Sequence, residues 1–165
     1  MGFRALYSSD DEKSCVQTTK RGRGPIEQYS GPGSIVRELA DRVAIHGPFK
    51  IGEVDYPDPV VTLAGDNWSL SMLCPWKLLH HGSVVVDPDN MTESGETATE
   101  IVTDAVWELV GHSIIEVRQS KSNQNDPTFI LTGEYSIEVA ADTDLDPWVM
   151  SVPGITFVGT MSSPA

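Results

Sequence analysis

Two stretches of this chain carry the same order of punctuation, and that order restricts the folds open to it. Asp58-Pro59-Val60-Val61-Thr62-Leu63-Ala64-Gly65-Asp66 aligns with Asp126-Pro127-Thr128-Phe129-Ile130-Leu131-Thr132-Gly133-Glu134. After one extra residue in the first copy, Asn67, the run Trp68-Ser69-Leu70-Ser71-Met72 aligns with Tyr135-Ser136-Ile137-Glu138-Val139. Each copy runs on to a Pro-Trp pair, Pro75-Trp76 and Pro147-Trp148, and upstream Glu53-Val54 matches Glu116-Val117. The last runs alternate apolar and polar residues, the period of a strand with one wet face. The Gly-containing turns before them are hairpin signals. Each half therefore reads as a three-stranded meander with one apolar face, which it cannot bury by itself. The two must pair face to face or join edge to edge.

Two helices complete the pattern. Ser34 to Val43 has Ser34 as N-cap, Ile35, Leu39 and Val43 on one stripe, and Gly47-Pro48 as a stop. Thr97-Ala98-Thr99-Glu100 fits a capping box for a helix over 98–110. Its apolar stripe is Ile101, Val102, Ala105, Val106, Leu109 and Val110, with Trp107 at the margin and Gly111 as the residue that ends it. That stripe is expected to lie on a sheet. Strands are expected at Phe49–Val54, Val60–Leu63, Trp68–Leu73, Val84–Val86, Ser113–Val117, Thr128–Leu131, Tyr135–Ala140 and Ile155–Val158. Residues 1–33, broken by Gly22, Gly24, Pro25, Gly31, Pro32 and Gly33, read as a flexible arm. The fold class expected is α+β over 34–165: mainly antiparallel β from two repeated meanders (44–86 and 108–158), one central helix and one short N-terminal helix.

Charge is divided unevenly. Seven basic and six acidic residues leave positions 1–42 at +1, whereas four basic and eighteen acidic residues leave 43–165 at −14. Such a body repels phosphate backbones, whose binding requires Lys and Arg, and attracts a basic protein. The same charge also serves solubility. No apolar run reaches membrane-spanning length. Met1 to Asp11 lacks the charged and apolar segments of a secretion signal, so the expected location is cytoplasmic.

Signatures of catalysis are few. Neither Gly-x-Ser-x-Gly nor a phosphate-binding loop is present, and no cofactor is expected. Cys74 aligns with Ala141 and reads as a small buried residue. Asp142, Asp144 and Asp146 alternate like the start of a calcium loop, but Pro147 stands where that loop needs Gly and Pro153 where it needs Glu. His80 and His81, with Cys74, Asp87 and Asp89 nearby, have no recognised metal-ligand spacing, and adjacent residues on a strand point to opposite faces. His46 and His112, each beside a Gly, read as charges near helix C-termini. Trp76 and Trp148, placed just beyond the last strand of each meander, read first as core-closing rings.

Leu109-Val110-Gly111-His112-Ser113-Ile114-Ile115-Glu116-Val117, Phe129-Ile130-Leu131-Thr132-Gly133 and Pro147-Trp148-Val149-Met150 together resemble a chiefly actinobacterial family of small cytoplasmic proteins of unknown function. Trp68-Ser69-Leu70, Pro75-Trp76-Lys77-Leu78 and Val85-Val86-Asp87-Pro88 extend the resemblance to residues 43–160. The loop Gln119–Asp126 is longer than in that family, and Pro147 stands where the family is looser. The resemblance implies the fold and no activity.

The favoured reading is an acidic protein-binding module without catalytic activity, such as an immunity or inhibitor protein for a basic, nuclease-like partner. Its binding residues are expected to include Asp142, Asp144, Asp146, Trp76 and Trp148, with neither nucleic acid nor membrane as partner. The alternatives are a metal-binding protein or small enzyme using His80, His81, Asp87 and Asp89, and a structural component of a larger assembly.

Overall fold

The computed structural model describes residues 27–29, 34–121, 123, 125–141, 145 and 147–159. Strand β1 (Glu27–Tyr29) and helix α1 (Ser34–His46) are followed by β2 (Phe49–Lys50), β3 (Glu53–Asp55), β4 (Val61–Ala64), β5 (Ser69–Met72), β6 (Trp76–His80) and β7 (Ser83–Val86). Helix α2 (Gly95–Trp107) leads into β8 (Ser113–Gln119), β9 (Pro127–Leu131), β10 (Tyr135–Val139), β11 (Trp148–Val152) and β12 (Ile155–Gly159). The class is α+β, with mostly antiparallel sheet. No described helix is long and apolar enough to cross a membrane.

Two six-stranded sheets form, in the orders β1-β12-β11-β5-β4-β3 and β2-β8-β9-β10-β6-β7. Among the described residues only β1 with β12 is a parallel pair. Neither meander is completed by the hairpin that follows it. The meander β3-β4-β5 takes β11-β12 from the far end of the chain, and β8-β9-β10 takes β6-β7. Trp148 stands opposite Met72 and Met150 opposite Leu70. In the other sheet Trp76 stands opposite Val139 and Leu78 opposite Ile137. The aligned positions thus meet in the same register in both sheets. One hydrophobic core holds both inner faces, with Leu63, Leu70, Leu78, Ile114, Phe129 and Phe157 almost wholly enclosed. Each such side chain stabilises the fold by about 1.5–3 kcal/mol relative to exposure. The helices bridge the sheets: α1 packs on β8 and β12, α2 on the edge strands β3 and β7.

Several expectations change here. Phe49–Val54 is two strands: Phe49-Lys50 pairs with β8, and Glu53–Asp55 pairs with β4 in the other sheet. The chain crosses between sheets at Ile51-Gly52, where Ile51 exchanges backbone hydrogen bonds with His112 and Gly111 (2.8 and 2.9 Å) and the Gly52 N–H donates to Ala64. Trp76 and Trp148, just beyond the third strand of each meander, begin two further strands that were not expected, β6 and β11. Leu63 faces Leu70 and Phe129 faces Ile137, so Phe129 takes the place of Leu63, two residues off the alignment with Val61. Within the supposed arm, Glu27–Tyr29 forms β1; its other residues lie outside those described.

Helix α1 buries Ile35, Leu39 and Val43 as their spacing requires, and Val36 with them. Helix α2 starts earlier than its capping box predicts. Ser94 is the N-cap but makes no side-chain cap bond, and the Thr99 hydroxyl donates to the Gly95 carbonyl at 3.3 Å. Because α2 lies on two strand edges and not across a sheet, its buried stripe is narrow. Val102, Val106 and Leu109 carry it, while Ile101 and Val110 are each 37% exposed and Trp107 is 55% exposed.

Candidate functional site

Of the expected binding residues, Asp142, Asp144 and Asp146 lie outside the described residues. Trp148 is completely enclosed and Trp76 is 5% exposed, so both rings fill the core and offer no face at the surface. Cys74 and Ala141 are both buried, as small aligned residues should be.

The histidines are brought together instead. His80 ends β6, and His81 adopts a left-handed backbone (φ 54°) that breaks the strand's alternation. The two imidazoles therefore lie 4.2 Å apart, contrary to the opposite-face expectation. His80 also stacks on Tyr135, at 4.1 Å and 12° between planes, because the β6–β10 register sets these residues opposite one another. His112 meets the same phenol ring edge-on at 5.1 Å. Its ring bonds to Thr132 Oγ1 at 3.2 Å, five residues beyond the end of α2, so it does not cap that helix.

Backbone strain concentrates at the same corner. The His81 N–H donates to the Glu134 carbonyl at 2.9 Å, and Glu134 is also left-handed (φ 66°). These are the non-glycine residues with positive φ among those described, a conformation found preferentially at functional positions. Gly133, next to Glu134, has φ 75°, and a side chain there would collide with the His112 ring. His80 Nε2 lies 3.0 Å from the Gly133 carbonyl, which only accepts, so Nε2 is the donor of this pair. Imidazoles beside a phenol can exchange protons with a bound group.

Among the described residues no group of three or more His, Cys, Asp or Glu is placed to hold an ion. Asp87 instead closes the turn after β7, accepting from the Asp89 N–H (3.3 Å) and Asn90 Nδ2 (2.9 Å). An open hollow of about 400 Å³ lies beside Trp68, lined by Pro48, Phe49, Lys50, Asp66 and Asn67 among others. Sequence reasoning missed the ring contacts of Tyr135 with His80 and with His112. Finding them requires knowing that β6 pairs with β10, a strand of the other half.

Acids are concentrated in one stretch of the sequence. Between Lys77 and Arg118 the chain holds eight acids and neither Lys nor Arg. The bounding cations are already engaged, Lys77 with Glu138 (3.5 Å) and Arg118 with Glu116 (2.8 Å). No family model, no curated protein and no solved structure matches this chain.

Proposed function

We propose that this chain is a non-catalytic, acidic binding module for a basic protein, acting in the bacterial cytoplasm as an immunity or inhibitor protein does. The observation that carries this reading is the forty-residue stretch from Leu78 to Val117, with eight acids and no Lys or Arg. An acidic surface of this kind competes with phosphate for a nuclease-like partner's cationic site and accelerates encounter. The scaffold fits a duplicated ancestor in which each half donates its hairpin to the other's sheet; the matched registers of Trp148 with Met72 and Trp76 with Val139 support that origin. The resemblance to the actinobacterial family is part of the same proposal. The test is affinity purification of the tagged protein from its native host at low salt, followed by elution with rising salt. The expected result is one stoichiometric partner of high isoelectric point that elutes as ionic strength rises; an acidic partner, or one held equally at every salt concentration, contradicts it.

A second reading rests on the paired left-handed residues His81 and Glu134 beside the His80–Tyr135 stack. It makes that corner an acid–base site. A bell-shaped pH–rate profile lost in Tyr135→Phe or His80→Gln would favour it over pure binding.

A further inference from the structure

We infer that the outward face of α2 is the surface on which the basic partner docks, with Trp107 as its apolar anchor and a cationic helix of that partner as its occupant. This rests on the proposed function and adds its location.

Glu96, Glu100, Asp104 and Glu108 recur at every fourth position, and all four are exposed. They form a ladder of carboxylates about 6 Å apart and about 18 Å long, from the 1.5 Å rise per residue. At 100° per residue Trp107 falls inside this stripe and opposite the buried Val102, Val106 and Leu109. The helix face thus combines an exposed indole with a row of negative charge, the combination that supplies an anchor and a steering field.

Helix stability does not explain the stripe. Like charges four residues apart each destabilise a helix. Asp104 and Glu108 also stand near the C-terminal end, where the helix dipole favours cations, and there is no basic residue in the last turn. The described ion pairs engage Glu38, Glu116 and Glu138, none of them on α2. The core needs only the opposite side of the helix. Trp68, Trp76 and Trp148 are buried, so the chain's remaining tryptophan, Trp107, stands out as the exposed one.

Charge complementarity selects the occupant. Anionic lipid and nucleic acid are repelled, and a second copy would bring the same acids against themselves. A helix with Lys or Arg at every fourth position matches the ladder rung for rung, and a Leu between the cations covers the indole.

The probe is a synthetic, tryptophan-free fourteen-residue helical peptide with Lys at i, i+4 and i+8 and a Leu stripe. Acrylamide quenching reports Trp107 selectively, since the other three indoles are enclosed. The peptide is titrated into the full-length wild type, into Asp104→Asn/Glu108→Gln, and into a control of equal net charge, Asp41→Asn/Asp66→Asn. Expected is protection of Trp107 from acrylamide on binding, affinity lower by about tenfold in the α2 variant, and little change in the control. Equal weakening in both variants with Trp107 unprotected overturns the α2 surface while leaving the basic-partner reading standing. Failure of the wild type to bind the peptide at low salt overturns both.

Discussion

The indole of Trp148 occupies the space that Gly159 leaves by having no side chain: the two residues stand opposite each other on β11 and β12, and a Cβ on Gly159 would overlap the ring. Trp148 also meets Phe129 of the other sheet edge-on at 6.4 Å, so this ring ties the two layers together. Its Nε1 has no hydrogen-bond partner. Gly159→Ala should therefore overpack the core and lower stability by about 1–3 kcal/mol. Urea unfolding followed by tryptophan fluorescence measures this, and an unchanged midpoint would contradict the packing described.

Asp126 is a buried acid, 4% exposed, whose carboxylate accepts the Ala141 N–H at 3.1 Å. Burial raises its pKa above the usual carboxylate range, and the backbone hydrogen bond opposes that only in part. A raised folded-state pKa contributes stability that is present at low pH and lost as pH rises through that pKa. Asp126→Asn keeps an acceptor oxygen and removes the charge. It should equal or exceed the wild type in stability at pH 7, with the advantage disappearing in acid. Paired urea titrations at pH 3.5 and pH 7 check the sign.

Tyr56 has a pKa raised to about 12, chiefly by burial and then by the hydrogen bond from its hydroxyl to Asp58 Oδ1 (3.1 Å). Its phenol should ionise only near pH 12, and its contribution to stability should persist up to pH 10 and fall as pH passes about 12. Ultraviolet titration at the phenolate band, with Tyr56→Phe as the subtraction, resolves it. Asp58→Asn should lower this pKa without returning it to the ordinary value, because burial remains.

Gly133→Ala would force a left-handed alanine against the His112 imidazole. The backbone conformation alone costs about 1–2 kcal/mol. The sharper readout is nuclear magnetic resonance: the ring signals of His112, His80 and Tyr135 should all move, because these rings touch in series.

Local pattern made α1 and the alternating strands β5 and β10 readable, since Ile35, Leu39 and Val43 or Trp68, Leu70 and Met72 declare their period without reference to the rest of the chain. Strands β6 and β11 were hidden for two reasons. Trp76-Lys77-Leu78-Leu79-His80 loses its alternation where the pairing with β7 shifts between Leu78 and Leu79. Trp148-Val149-Met150-Ser151-Val152 is too continuously apolar to show a wet face. On its other side each pairs with a strand of the other half, β6 with β10 and β11 with β5, a partnership that no local pattern marks. The repeated Asp-Pro illustrates the same limit: Asp58 is exposed and serves Tyr56, whereas Asp126 is buried and serves Ala141. At the surface, the acidity was legible, but the aromatic residue exposed beside it was not. Trp107 was read as the margin of a buried stripe, because the sequence does not reveal that α2 rests on two strand edges.

The proposed recognition of a basic protein by this acidic surface is tested by the association rate of the purified native partner, measured by stopped flow from 20 to 500 mM salt. The account predicts a steep fall in association rate with ionic strength and a much smaller change in dissociation rate. An association rate that does not depend on salt would contradict it.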